Sequence, residues 1–175
     1  MKNKLLVLFF VLATSVSYTN ASEFKKYFFI KHAHTGDFDS YKYDNVYNLK
    51  FGFGAYSSES FRADVEIMIS KINVEYSHSY LGQKDVKKYT EKFNGIFLNF
   101  YYDLAFFGEN FKPYIFLGYG FSQYKDNCYG YCSGSGDDFN FGVGLSYKIN
   151  NFVIDIGAAS RPIRSSTDIS LRHNF

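Results

Sequence analysis

The sequence predicts an all-β chain: an eight-stranded antiparallel transmembrane β-barrel with short periplasmic turns and longer external loops. Three observations predict it. Residues 138–150, DFNFGVGLSYKIN, alternate strictly, with Phe139, Phe141, Val143, Leu145 and Tyr147 on one face and Asn140, Gly142, Gly144, Ser146 and Lys148 on the other. Such alternation marks a β-strand with two unlike faces. In a bilayer barrel the apolar face meets lipid and the small or polar face fills the lumen. Aromatic residues make up 22% of the chain, all of them Tyr and Phe, an excess that suits the aromatic girdles at the two membrane interfaces. Finally, the connections between candidate strands alternate long and short, as in barrels with short periplasmic turns and long external loops.

The elements follow in chain order. The N-terminus, MKNKLLVLFFVLATSVSYTNA, has Lys2 and Lys4, an apolar run over Leu5–Ala13, and small residues at Thr19-Asn20-Ala21. These are the marks of a secretory signal peptide over residues 1–21, leaving 22–175 as one barrel domain. Its removal takes two lysines and leaves 17 basic against 17 acidic residues, a balance that gives no reason to expect nucleic acid. No later stretch holds eighteen consecutive apolar residues, so no transmembrane helix is expected.

The first strand, about 24–34, has no clear facing. The second, about 45–56, sets Tyr47, Leu49, Phe51, Phe53 and Ala55 against Asn48, Lys50, Gly52 and Gly54. The third starts at Phe61 and sets Ala63, Val65, Ile67 and Ile69 against Arg62, Asp64, Glu66 and Ser70, with a continuation toward Ser79. The fourth, about 91–104, sets Ile96, Leu98, Phe100 and Tyr102 against Gly95, Phe97, Asn99 and Tyr101. The fifth, about 112–124, sets Ile115, Leu117, Tyr119 and Phe121 against Phe116, Gly118, Gly120 and Ser122. The sixth is the stretch 138–150. The seventh, about 152–161, sets Phe152, Ile154, Ile156 and Ala158 against Asp155, Gly157, Ala159 and Arg161. The eighth, about 167–175, sets Ile169, Leu171 and Phe175 against Ser170, Arg172 and Asn174.

Five of these strands carry charges on the face opposite the apolar one, which excludes a dry soluble core and makes that face the lumen. The long connections are about 35–44, 80–90, 125–137 and 162–166; the short ones are about 57–60, 105–111 and 150–151. Asn150-Asn151 suits a two-residue hairpin, because Asn tolerates the positive φ it requires.

The signal peptide, the FRADVEI strand, NFYYDL, KPYIFLGYG, the GVGLSYKI–FVIDIG hairpin and the terminal ISLRHNF together resemble the small eight-stranded outer-membrane barrels of the opacity-protein and OmpA-like group. The resemblance covers essentially all of 22–175. It implies the outer membrane of a Gram-negative bacterium, contact with outer-membrane lipid, and insertion by the barrel-insertion machinery. Ile169, Leu171 and Phe175 match the C-terminal signal that machinery reads, while His173 stands where the pattern has an apolar residue. The resemblance also implies surface roles such as adhesion, through loops that do not transfer between members, and in some members slow pore activity. A monomer without cofactor is expected.

Cys128 and Cys132 form CYGYC in the third external loop and are the only two cysteines. In an oxidising envelope they read as a disulfide. The rival, a thiolate zinc site, needs two further ligands, and no other Cys or His lies nearby. The inward charges Lys50, Arg62, Asp64, Glu66, Lys148, Asp155, Arg161 and Arg172 read as a structural lumen network rather than a conduction path. The interior of an eight-stranded barrel is just wide enough for side chains to fill, and buried charges must pair. A turn at Ser57-Ser58-Glu59-Ser60 sets residues whose numbers sum to about 116 opposite each other, which places Lys50 beside Glu66. The tight Ser/His cluster, Ser77-His78-Ser79, cannot act together because neighbours in a strand face opposite ways; His32 and His34 share a face near the first loop. No enzyme is expected, and a lipid-modifying barrel enzyme ranks behind the other readings. Tyr80, Tyr124, Tyr129 and Tyr131 are candidate loop contacts. The function expected is an adhesin-like or antigenic surface protein contacting a host or matrix partner, with a narrow pore for ions or small solutes as the alternative.

Overall fold

The computed structural model describes residues 25–36, 41–80, 83–104, 110–126, 133–161 and 164–175. Residues 1–21, expected to be a signal peptide, and Cys128, Cys132, Tyr129 and Tyr131 lie outside these residues. The strands are β1 (Lys26–Thr35), β2 (Tyr41–Tyr56), β3 (Phe61–Tyr80), β4 (Gln83–Asp103), β5 (Phe111–Asp126), β6 (Ser133–Ile149), β7 (Phe152–Arg161) and β8 (Arg164–Asn174). Each pairs antiparallel with its neighbours in sequence, and β8 returns to β1 to close the barrel. The seam is tied at its end by backbone hydrogen bonds between Lys26 and Phe175 in both directions, 3.2 and 2.9 Å. Closure leaves no strand edge unpaired, which lipid would not tolerate.

The faces follow the alternation. Large apolar side chains stand outward and exposed along every strand, including Ile30, Phe53, Ile67, Ile96, Leu117, Phe141, Ile156 and Ile169. Inward stand Lys50, Arg62, Asp64, Glu66, Asp155 and Arg172, all nearly inaccessible. In β1 the facing left open by sequence is settled: Tyr27, Phe29, Lys31, Ala33 and Thr35 point in. Inward aromatics lie directly across from glycines. Tyr27 pairs with Gly54, Phe29 with Gly52, Phe97 with Gly120, Tyr114 with Gly144 and Phe116 with Gly142. A ring in so narrow a lumen needs a neighbour without a side chain, so these glycines supply space.

The strand pairing reaches further than the alternation indicated. β2 begins at Tyr41, β6 at Ser133 and β8 at Arg164, and the loop expected over 80–90 is strand almost throughout, with pairing continuous to Tyr80 and Gln83. The outward face shows why this was hidden. On β3 it is apolar from Phe61 to Ile69, then continues as Lys71, Asn73 and Glu75; on β4 it passes from Ile96 to Asn94, Lys92 and Thr90. Above the lipid belt both faces can be polar, so the period-two signal fades while the backbone ladder continues. β1 and β7 have 10 residues each against 20 and 21 in β3 and β4. Ten tilted residues rise about 24 Å, roughly the height of the lipid-facing band, so β3 and β4 overshoot it by a similar distance.

At the other end the turns are short. Asn150 has φ 54° at the β6–β7 hairpin, the left-handed conformation expected of it. The β2–β3 turn centres one residue later than expected. Ser57 N–H donates to Phe61 O at 2.9 Å, and the Ser58 hydroxyl accepts from Phe61 N at 3.0 Å. A β-bulge at Val46 separates Asn45 from Tyr47 in the β2–β3 ladder.

Candidate functional site

The lumen falls into two layers. The layer nearer the termini is a packed polar network. Arg172, the last inward cation of β8, reaches across to Asp155 on β7, with Nη2–Oδ1 2.8 Å and Nε–Oδ2 3.2 Å. Asp155 also accepts from the hydroxyls of Ser146 at 2.5 Å and Ser170 at 3.0 Å. Arg172 donates to the Tyr56 hydroxyl, and its guanidinium carbon lies 5.1 Å from the Tyr27 ring centroid. Arg62 donates from Nε to Asp103 Oδ1 at 3.3 Å and lies 3.8 Å over the Tyr101 ring. Asp64 accepts from Tyr27 Oη at 3.3 Å and from Asn99 Nδ2 at 2.9 Å, and Asn140 Nδ2 donates to Asn99 Oδ1 at 3.2 Å. Free space within this layer comes to about 10 Å³, room for one water molecule.

Nearer the barrel middle, Lys31 Nζ lies 2.8 Å from Glu66 Oε2 and Lys50 Nζ lies 2.6 Å from Asp168 Oδ2. This revises the expected neighbour of Lys50. The observed register sets Lys50 opposite Met68, Glu66 opposite Gly52 and Asp64 opposite Gly54, two residues away from the register a turn at Ser57–Ser60 implies. Lys148 also departs from expectation. Its register places it across from Val153, but it is exposed at the rim, because β6 ends one residue later and the lumen opens to water there. Arg161 is the last residue of β7 and Tyr80 the last of β3. Sequence reasoning missed Lys31, Asp103 and Asp168. Asp103 and Asp168 are in step with inward residues already identified on their strands, so parity alone could have found them; Lys31 lies on β1, whose facing the sequence left open.

Beyond this layer, on the side away from the termini, the lumen widens into a cavity of about 520 Å³. Lys50, Ser70 and Ser122 lie in its wall with Met68 and Ile72, and Phe93 and Tyr124 face each other across β4 and β5 with ring centroids 6.4 Å apart. Tyr124 is exposed.

Above the lipid belt the outer surface of β2–β4 is a polar lattice. Asn73 donates to Asp44 at 3.3 Å, Thr90 donates to Asn73 at 3.0 Å, and Lys88 lies 2.9 Å from Glu75. On the inner side of the same wall, Tyr41 stacks with Tyr43 at 6.2 Å and tilts against Tyr76 at 4.8 Å. His32 and His34 face outward and are exposed, with His34 Nδ1 3.2 Å from Asn45 Nδ2. At the opposite end Ile169, Leu171 and Phe175 point outward and are exposed. His173 stands in the same outward row, between Phe28 and Phe152 at 5.4 and 4.8 Å, as one ring of the aromatic girdle.

Residues 6–164 match the model of a family described as outer membrane protein beta-barrel domain. Among solved structures, the chain is similar to the N-terminal β-barrel domain of Pseudomonas aeruginosa OprF (15% identity, TM-score 0.52), covering 86% of this chain and 97% of that one. It is also similar to the Yersinia pestis outer membrane protein Ail in a phospholipid bilayer nanodisc (13% identity, TM-score 0.53, 87% and 100% covered). A third likeness is to the outer membrane protein AlkL in lipid bilayers (14% identity, TM-score 0.52, 86% and 90% covered). These likenesses concern the fold. No curated protein matches the chain in sequence.

Proposed function

The chain belongs to the outer membrane protein beta-barrel domain family, and from that premise we propose that it is a non-enzymatic surface protein of the bacterial outer membrane that contacts a host or matrix partner through its external end. The observation that carries this reading is the overshoot of β3 and β4. Eleven residues of β3, from Ser70 to Tyr80, continue past the last outward apolar residue, Ile69. They raise a paired, rigid wall above the bilayer that neither membrane spanning nor lumen packing requires. A preformed wall bearing tyrosines and charges of both signs meets a partner at little ordering cost. The connection between β5 and β6, residues 127–132, with Tyr129 and Tyr131 and a Cys128–Cys132 disulfide, completes the contact surface in this reading together with the ends of those strands, and Tyr80 and Tyr124 flank it. Ile169, Leu171 and Phe175 serve the insertion machinery.

The alternative, a narrow pore, is disfavoured by the hydrogen-bonded layer around Arg62, Asp64, Asp155 and Arg172, whose cavity of about 10 Å³ has room for about one water molecule. The test is binding of intact cells displaying the protein to host cells and matrix proteins. Comparison variants have residues 127–132, between β5 and β6, replaced by a short Gly/Ser linker or carry Lys87→Glu with Lys88→Glu, and planar-bilayer conductance is recorded in parallel. Loss of binding with unchanged barrel assembly supports the reading. Unchanged binding in both variants, or steady conductance in wild type, refutes it.

A further inference from the structure

Three lysines stand side by side on the outer surface, at the foot of the wall formed by β3, β4 and β5. Lys71 on β3 is directly opposite Lys92 on β4, and Lys92 is directly opposite Lys125 on β5. They share the outward face of their strands with Ile69, Ile96 and Phe121, and Lys92 and Lys125 are exposed. Like charges directly opposite each other destabilise a sheet. Tyr47 and Ser133 close the two ends of the row, and Ile69, Asn73, Thr90, Asn94 and Gln123 border it along the strands. Among the described residues none of the three lysines has an ion pair. The described carboxylates on this face are placed elsewhere: Asp44 accepts from Asn73 at 3.3 Å, Glu75 lies 2.9 Å from Lys88, and Asp137 stands further down β6, opposite Phe121. A repulsive row with no counter-charge from the protein calls for one from outside it.

The height of the row says where that counter-charge lies. Lys71 is one outward position beyond Ile69, and Lys92 and Lys125 are each two beyond Ile96 and Phe121. One outward position is about 6.7 Å along a strand, or about 5 Å of height at the usual tilt, so the lysines stand about 5–10 Å above the last apolar side chain of each strand. The headgroup layer begins there and is about 5–8 Å thick, and the long stem of a lysine lets its ammonium settle within it. Tyr47, 40% exposed and opposite Lys71, marks the same level, where aromatic side chains of membrane proteins collect. The other flank differs. Past the belt on β6, β7, β8 and β1 the described outward residues are Ser133, Ser135, Ser160, Ser165, Thr167 and His34. An even basic ring would serve any anionic membrane, whereas three cations gathered on one flank make a local site. Strands about 4.8 Å apart give the row a span of about 10 Å. Two neighbouring ammonium groups bracket one phosphate through charge-assisted hydrogen bonds, and the third is left for a second phosphate.

We propose that Lys71, Lys92 and Lys125 bind an outer-leaflet lipid whose headgroup carries two phosphates. The phosphates supply the negative charge that the row lacks, and the acyl chains lie along the apolar outer face beneath it, on Ile67, Ile69, Ile96 and Phe121. A soluble polyanion would meet the same charges but would leave that apolar face unused. The site does not depend on the wall's having a macromolecular partner.

The full-length protein is unfolded with urea in vesicles of phosphatidylcholine alone, or with diphosphoryl or monophosphoryl lipid A as the minor lipid. Lys92→Gln should unfold at a higher urea concentration than wild type in phosphatidylcholine alone, because the central cation of the repulsive row is gone. With diphosphoryl lipid A it should unfold at a lower one, because a bound phosphate has lost a partner. A merely structural lysine would shift the midpoint the same way in both. Affinity is read by native mass spectrometry of the protein in detergent with added lipid. Lys71→Gln, Lys92→Gln and Lys125→Gln should each weaken diphosphoryl lipid A about fivefold, the scale of one basic residue at an anionic surface, and the triple variant about 100-fold. The diphosphoryl form should bind about fivefold or more tighter than the monophosphoryl form. Lys25→Gln with Lys26→Gln and Lys148→Gln removes the same charge from exposed positions at the opposite rim, beyond the screening length, and should change the affinity by less than about twofold. Inorganic phosphate and dextran sulfate, each in excess, should fail to displace the lipid. Barrel assembly of each variant is checked by its migration on a gel before and after heating, and if the triple variant does not assemble the single ones decide. Midpoint shifts of one sign in both membranes, equal affinity for the two lipids, an equal loss in the opposite-rim control, or displacement by either soluble anion would each overturn the proposal.

Discussion

The pair Arg172–Asp155 is where the lumen network is most exposed to test. Two N–H···O contacts, at 2.8 and 3.2 Å, join side chains that are 1% and 8% accessible. Removing one partner of such a pair strands the other charge, at about 3–5 kcal/mol. The two directions are not equivalent. In Arg172→Met the Asp155 carboxylate keeps the hydroxyl donors Ser146 and Ser170, at 2.5 and 3.0 Å. In Asp155→Leu the guanidinium keeps the oxygens of Tyr56 and Ser146 and the Tyr27 ring face, but has lost this counter-charge. Asp155→Leu should therefore cost about 4–5 kcal/mol and Arg172→Met about 3. The double variant should cost less than the sum by about 2 kcal/mol, since neither charge is then stranded. The chain has no tryptophan, so reversible unfolding in lipid vesicles is followed by far-ultraviolet circular dichroism and by the gel shift between folded and heated forms. Costs that add within about 0.5 kcal/mol, or an Arg172→Met variant less stable than Asp155→Leu, would refute this account of the layer.

Other expectations follow from the same geometry. Lys50→Met and Asp168→Asn should couple by about 1–2 kcal/mol in a double-mutant cycle, as should Lys31→Met with Glu66→Gln; coupling of Lys50 to Glu66 with none to Asp168 would restore the earlier turn position. Gly118→Ala should destabilise by about 1–3 kcal/mol, because a Cβ there collides with the amide oxygens of Asn99 and Asn140, whereas Gly136→Ala, with nothing within 4 Å, should be neutral in the same unfolding assay. Asn150→Gly should leave stability nearly unchanged, while Asn150→Val should cost about 1–2 kcal/mol at its φ of 54°. The peptide covering 125–138 from protein isolated without reductant should be two hydrogens lighter than the dithiol form by mass analysis, and free thiols there would contradict the Cys128–Cys132 bridge.

The lipid-embedded part of the fold was legible because each strand there obeys one rule with a large energetic stake. An apolar outward face and a small or charged inward face leave no ambiguity at Phe139–Tyr147 or Phe61–Ile69. Legibility ended where that stake ended. Past Ile69 and Ile96 the outward residues are polar at no cost to the barrel, so the alternation weakens along the continuation of β3 toward Ser79, and the stretch 83–90 reads as loop although the backbone ladder continues through it. Lys31 was hidden for a different reason. FKKYFFIKHAH places Phe and Lys on both parities, and only the seam with β8, where Phe29 meets Arg172 and Lys31 meets Ser170, assigns the inward face.

The error in the partner of Lys50 has the same origin and shows what alternation can and cannot decide. A slip of one residue would turn Lys50, Arg62, Asp64 and Glu66 toward lipid, and the cost of exposing them there excludes it. A slip of two residues keeps every side chain on its own face, so the hydrophobic pattern is blind to it. The choice between those registers falls to the turn. In Ser57-Ser58-Glu59-Ser60 the Ser58 hydroxyl captures the backbone N–H of Phe61 at 3.0 Å, and Ser57 N–H closes on Phe61 O at 2.9 Å. Those bonds move the centre of the hairpin to Glu59 and carry Glu66 from Lys50 to Gly52. There it faces a position without a side chain, which leaves room for Lys31 to reach across from β1. One serine hydroxyl in a turn outside the membrane thus selects which ion pairs form at the middle of the lumen. The glycines of β2 are spaced to accept that selection: Gly52 and Gly54 open the two sites opposite Glu66 and Asp64 through which β1 joins the network.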